Sequence, residues 1–114
     1  MSEFATDYSL AELLICANAA AYDNDGEILV TGIGVLPRIA ASLAMKTSNT
    51  DIMMTDSEAW LLSEPNPVGN RPDDFIQQNE TWMGFSRIFD NVWSGCRHIT
   101  GGPTQMDRFG QSNI

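Results

Sequence analysis

The residues best placed to do chemistry in this chain are one glutamate and two glycines. The apolar run Ile52-Met53-Met54 delivers the acidic segment Asp56-Ser57-Glu58 to its carboxyl end, and a second apolar run starts at Ala59. In an open parallel α/β sheet, ligands bind in the crevice outside the carboxyl ends of the strands. A glutamate there reaches a substrate, which makes Glu58 the catalytic candidate. The glycines lie in Thr31-Gly32-Ile33-Gly34-Val35-Leu36-Pro37. Gly32 and Gly34 let the backbone turn sharply and approach a ligand, and Pro37 suits the first turn of a following helix. Strand, glycine loop and helix start together offer backbone N–H groups to an anion or a developing oxyanion. Two glycines between a strand and a helix are more often a tight connection than a binding site, and Pro37 takes the place of the third glycine of a dinucleotide fingerprint.

The elements that must position these residues follow a simple order. A capping-box pattern at Ser9 and Glu12, with Leu10, Leu13, Leu14 and Ala17 at helical spacing, predicts a helix over residues 8–21. The cluster Asp23-Asn24-Asp25-Gly26 turns the chain into a short buried strand over 27–31, and a helix over 36–46 leads back to the strand at Asp51. Strand, helix of about ten residues, strand is the βαβ arrangement, which implies a parallel pair. Residues 63–80, rich in proline, form a loop too long for a simple connector, expected near the site because it begins soon after Glu58. A helix over 82–93, with Phe85, Ile88, Phe89 and Val92 on one side, and a strand over 97–100 follow; Asp107 and Gly110 mark a turn. The fold class is therefore α/β, an open and mostly parallel sheet with flanking helices.

Composition narrows the partners. The 114 residues, 43% hydrophobic, suit a single domain. Six basic residues against fifteen acidic ones leave a net charge of -9, which argues against nucleic acid and anionic membranes as partners. No apolar run approaches the roughly 20 residues that span a bilayer. The amino terminus lacks the build of a signal peptide, so a cytoplasmic location is expected. Cys16 and Cys96 have no metal-ligand spacing and are expected as buried, reduced packing residues. No metal site is expected, and His98, the single histidine, is expected in a structural or surface role.

Three segments carry a resemblance to a known family. TGIGVLPRIAASLA and TDSEAWLL resemble the glycine-loop and glutamate segments of the β subunit of family I coenzyme A transferases, and GGPTQMDRFGQSNI resembles that family's Q-x-D-x-x-G-N-x-N segment. WMGFSRIFD and GCRHI are most similar to the branch that includes steroid-ring-cleaving acyl-CoA hydrolases. The resemblance implies a coenzyme A thioester as substrate, no further cofactor, and an α-type partner subunit. It makes Glu58 the nucleophile that attacks the thioester, the Gly32/Gly34 loop the oxyanion support, and Gln105 and Asp107 neighbours of the site. Residues 1–114 would then be the amino-terminal part of one β-subunit-like domain, truncated relative to the family. Where transferases commonly carry S-E-N-G, this chain has Ser57-Glu58-Ala59-Trp60. That departure leaves two alternatives open: a hydrolase of a cyclic or β-keto acyl-CoA, with a glutamate acting as base, and a catalytically silent structural subunit.

Overall fold

Residue chemistry explains the first helix at its start. The Ser9 N–H and hydroxyl both donate to Glu12 Oε2, each at 2.7 Å, while the Glu12 N–H donates to Ser9 Oγ at 3.3 Å, a complete capping box that opens α1, Leu10–Ala20. The structure is a computed structural model that describes residues 5–55, 59–95 and 97–113, Val92 by its backbone alone. Elements follow as β1 Leu29–Ile33, α2 Val35–Lys46, β2 Met53–Thr55, β3 Trp60–Leu62, β4 Asn79–Trp82, α3 Gly84–Ser94 and β5 Arg97–Gly101. A small hairpin, β6 Gln105–Met106 with β7 Ser112–Asn113, stands apart.

Five strands form one mixed sheet in the order β4-β3-β2-β1-β5. The expected βαβ unit is its centre: β1 pairs in parallel with β2, Leu29 opposite Met53, with α2 as the crossover. On its other side β1 pairs in parallel with β5, Leu29 opposite Arg97. The remaining pairs, β2/β3 and β3/β4, are antiparallel, so the parallel character is confined to three strands.

Strand alternation sends Val30 and Met54 to one face, where Ala40, Ala41, Ala44 and Met45 of α2 and Ala19 and Tyr22 from the α1 end bury against them. The alanines have no side chain beyond Cβ, so helix and sheet come close. Below the sheet, Asn49 is buried, and its Nδ2 donates to the carbonyls of Tyr22 at 2.9 Å and Gly26 at 3.1 Å. That clamp joins the turn before β1 to the turn before β2.

Several expectations are corrected. Leu10, Leu13 and Leu14 do not face the core; they are exposed, and α1 docks instead through Ile15, Ala19 and Tyr22. Helical spacing identifies an apolar stripe but not the neighbour it meets. Cys16 is exposed rather than packed, and Cys96 lies outside the described residues. His98 has the structural role expected: its Nε2 is 2.7 Å from Asp25 Oδ2, and its ring lies 5.2 Å from that of Tyr22. The long loop joins β3 to β4 and closes on itself where the Ser63 N–H donates to the Gln78 carbonyl at 3.3 Å. Among the described residues, no helix is long and apolar enough to cross a membrane.

Candidate active site

Of the functional candidates, Gly32 and Gly34 lie at the carboxyl end of β1, beside the end of β2. Thr31 and Thr55 stand opposite each other in register, and their hydroxyls are 2.7 Å apart. Beside them opens a cavity of about 410 Å³, within the range of small-molecule sites. Thr31, Gly32, Ile33 and Gly34 supply one wall, Val35 and Arg38 of α2 the rim, and Thr55 the neighbouring wall. Phe85, Ile88 and Phe89 of α3 close the opposite side, with Arg97 and Ile99 of β5 along the floor.

The two glycines have different physical causes. Gly32 belongs to β1, and a Cβ placed there would lie 2.8 Å from the Arg38 nitrogen and 2.9 Å from the Pro37 carbonyl carbon. Only glycine permits that approach of strand to helix. Gly34 is the N-cap of α2 and has φ 107°, a region that favours glycine; a Cβ there would meet only Pro37 Cδ, at an ordinary 3.8 Å. The N–H groups of Val35 and Leu36 that follow have no acceptor inside the helix, and the helix start carries partial positive charge. Val35 borders the cavity, and a helix start of this kind suits a carbonyl oxygen acquiring charge.

Glu58 lies outside the described residues, together with Asp56 and Ser57. Its flanks are defined: Thr55 ends β2 against the cavity, and Ala59, 1% exposed, has φ 66° just before β3. Left-handed backbone is normally left to glycine or asparagine. The position that matches the asparagine of S-E-N-G is left-handed in this chain, although alanine occupies it.

No family model matches the chain. It is 37% identical over 114 residues, its full length, to the cholesterol ring-cleaving hydrolase IpdB subunit of Rhodococcus jostii (strain RHA1), and covers 43% of that protein. Against the subunit of the same name from Mycobacterium tuberculosis (strain ATCC 25618 / H37Rv) it is 35% identical over 104 residues, 91% of this chain and 41% of the other. The structure matches the crystal structure of R. jostii RHA1 IpdAB with a TM-score of 0.80 and 36% identity, covering 96% of this chain and 42% of that one. The chain is therefore similar to the IpdB subunit along its whole length and shares the fold of IpdAB. Glutaconate coenzyme A-transferase from Acidaminococcus fermentans shares the fold alone, with a TM-score of 0.62 at 20% identity over 95% of this chain and 44% of that one. The IpdB-like chain spans about two fifths of the length of the relatives it matches.

Gln105 and Asp107 of this IpdB-like chain do not line the cavity. Asp107 Oδ1 accepts from the N–H groups of Phe109 at 2.8 Å and Gln111 at 2.9 Å, which shapes the β6/β7 turn, and Gln105 Oε1 accepts from Asn113 at 3.4 Å across the hairpin. Nor do the described residues of the 63–80 loop border the cavity, although that loop starts close to Glu58 in sequence. Two residues escaped the sequence reading altogether: Arg38 and Arg97.

Proposed function

We propose that this chain is the β-type component of an enzyme that acts on an acyl-CoA thioester together with an α-type subunit, with Glu58 in its active site. The observation that carries the proposal is identity to ring-cleaving hydrolase subunits along the whole chain, joined to a cavity beside the strand end from which the Glu58 segment departs. The exposed apolar residues Leu10, Leu13 and Leu14 of α1 and Trp93 of α3 agree with a chain that meets further protein surface.

Hydrolysis is the reading the relatives favour. A glutamate removes a proton from water or from the substrate, and the first-turn amides of α2 stabilise the oxyanion. Transfer is the reading the shared glutaconate coenzyme A-transferase fold keeps in play. The Glu58 carboxylate would then attack the thioester carbonyl and expel CoA thiolate, and the thiolate would attack the resulting anhydride to leave a glutamyl-CoA thioester and release the acid.

Both readings are tested on the chain co-expressed with its α-type subunit, treated with acetoacetyl-CoA and then borohydride. A glutamyl thioester is reduced to the alcohol, which lowers the mass of the Glu58 peptide and establishes transfer. An unmodified Glu58 in a complex that consumes the thioester without an acceptor acid establishes hydrolysis. Glu58→Ala is expected to lower turnover by orders of magnitude with assembly intact; wild-type turnover in that variant removes Glu58 from the chemistry.

A further inference from the structure

The helix α3 rests lightly on the sheet it covers. Among its described side chains only Ile88 is buried, while Phe85 and Phe89 stay 62% and 56% exposed although both line the cavity. A second hollow, of about 260 Å³, lies on the same face of the sheet toward the amino ends of β1 and β2, between Leu29 and Met53 of the strands, Met83 just before α3, and Asn91 within it. Protein interiors are close-packed. A helix with a hollow on either side of its footprint therefore has room to move. Glycines bound it: Gly84, its first residue, has φ 67°, and Gly95, just past its last, has φ 79°. Such positions absorb the backbone rotation of a hinge, and a Cβ at Gly95 would meet nothing within 4 Å.

The contact that fastens α3 to β5 carries its own opposing force. Arg97 heads β5, is 8% exposed, and donates from Nη1 to the Ile88 carbonyl. Its Nε and Nη2 are buried with no hydrogen-bond partner among the described residues. Burial lowers its pKa from the ordinary value, as befits a cation taken from water. A buried charge without a counter-charge is costly. Lifting α3 breaks that hydrogen bond and uncovers the Ile88 side chain, but it returns the guanidinium to water, so the two positions of the helix lie close in free energy. We propose that α3 is a gate over the cavity, hinged at Gly84 and Gly95 and latched at Ile88 by Arg97. Swinging on its glycines, the helix carries Phe85 and Phe89 off the cavity to admit a ligand and brings them back to exclude water. The gate stands on the packing of α3 and holds for any reaction the cavity hosts.

The test is methyl relaxation dispersion, which detects exchange on the microsecond-to-millisecond scale of hinge motions. The complex of this chain with its α-type subunit is deuterated and labelled at the isoleucine δ1 methyls. Ile88 and Ile99, which line the cavity, are expected to share one exchange rate, while Ile52, 2% exposed in the core beneath α2, stays flat. Arg97→Met has no charge to hydrate, so the population of the open position is expected to fall at least about tenfold, which is about 1.4 kcal/mol. Arg97→Lys keeps the charge and is expected to keep the exchange. Flat profiles at Ile88 and Ile99 in the wild-type complex overturn the proposal without any variant having to fold. So does exchange that Ile52 shares, which would mark opening of the whole domain. Exchange unchanged in Arg97→Met would mark an isoleucine rotamer rather than a gate, and a lysine variant as quiet as the methionine one would show that the charge does not open it; either result overturns the proposal. Flat profiles in a complex that consumes acyl-CoA would strike the gate and leave the reading of function standing; exchange in a complex without such consumption would do the reverse.

Discussion

The hydroxyls of Thr31 and Thr55 meet at 2.7 Å across the parallel pair β1/β2, with Thr55 fully buried. Both residues line the cavity, Thr31 just before the glycines and Thr55 as the last residue of β2, so this one contact ties the glycine turn to the strand that leads to the Glu58 segment. Replacing either threonine with valine leaves the other hydroxyl without its partner. Each single variant is expected to lose about 1–2 kcal/mol in urea denaturation. The double variant should lose less than the sum, since neither hydroxyl is then left stranded. Strict additivity would mean that the two side chains do not interact.

Gly32 and Gly34 should fail for different reasons when changed to alanine. Gly32→Ala drives a methyl into the backbone at Pro37 and Arg38, an overpacking cost of about 1–3 kcal/mol. Gly34→Ala makes only an ordinary 3.8 Å contact with Pro37 Cδ but holds alanine at φ 107°, at a cost of about 1–2 kcal/mol. The two are separable by a second measurement: Gly32→Ala should also shift NMR signals along α2, whereas Gly34→Ala should disturb the turn alone. A Gly32→Ala chain as stable as wild type would contradict the close approach of β1 to α2.

Tyr22 links stability to alkaline pH. Burial raises its pKa above the ordinary 10.0, and the 2.8 Å hydrogen bond between its hydroxyl and Thr100 Oγ1 pulls the other way without cancelling the rise. Above pH 10 the unfolded chain loses this proton while the folded chain keeps it, so the unfolded state binds fewer protons and stability falls. The contribution is complete below pH 10 and disappears as pH climbs through the raised value. Tyr22→Phe should lose about 1 kcal/mol at neutral pH from the missing hydrogen bond, and show a shallower alkaline decline. An unchanged decline in the phenylalanine variant would assign the effect to another group.

What could be read from the sequence was local. The Ser9/Glu12 capping box and the 23–26 turn rest on interactions within a few residues, the βαβ unit on elements adjacent in the chain, and all are present. What escaped depended on distant neighbours. The leucine stripe of α1 has helical period, but the small Ala19 rather than the leucines meets the alanine-rich face of α2. Gly32 reads as a flexible loop residue, yet its purpose is steric and is set by Pro37 and Arg38 across the strand–helix gap. Arg97 becomes informative only once β5 lies beside β1 and its guanidinium is buried with donors to spare. At Ala59 the left-handed backbone could not be read from the residue type, since alanine rarely adopts it.

The clamp at Asn49 also sets an order of assembly. It joins residues 22 and 26 to residue 49, spanning at most 27 positions, and draws α1, β1, α2 and β2 into one early unit. β5 reaches β1 from much farther away, and the Tyr22–Thr100 contact spans 78 positions. Loop closure of that length is slow to recover its entropy cost, so β5 should dock last. Pulse-labelled hydrogen exchange should therefore protect Val30 amides before Ile99 amides; simultaneous protection would refute the order. Since Arg97 travels with β5, the cavity would acquire its second guanidinium in the closing step of folding, and an immature chain would have the glycine turn but not the charge beneath it.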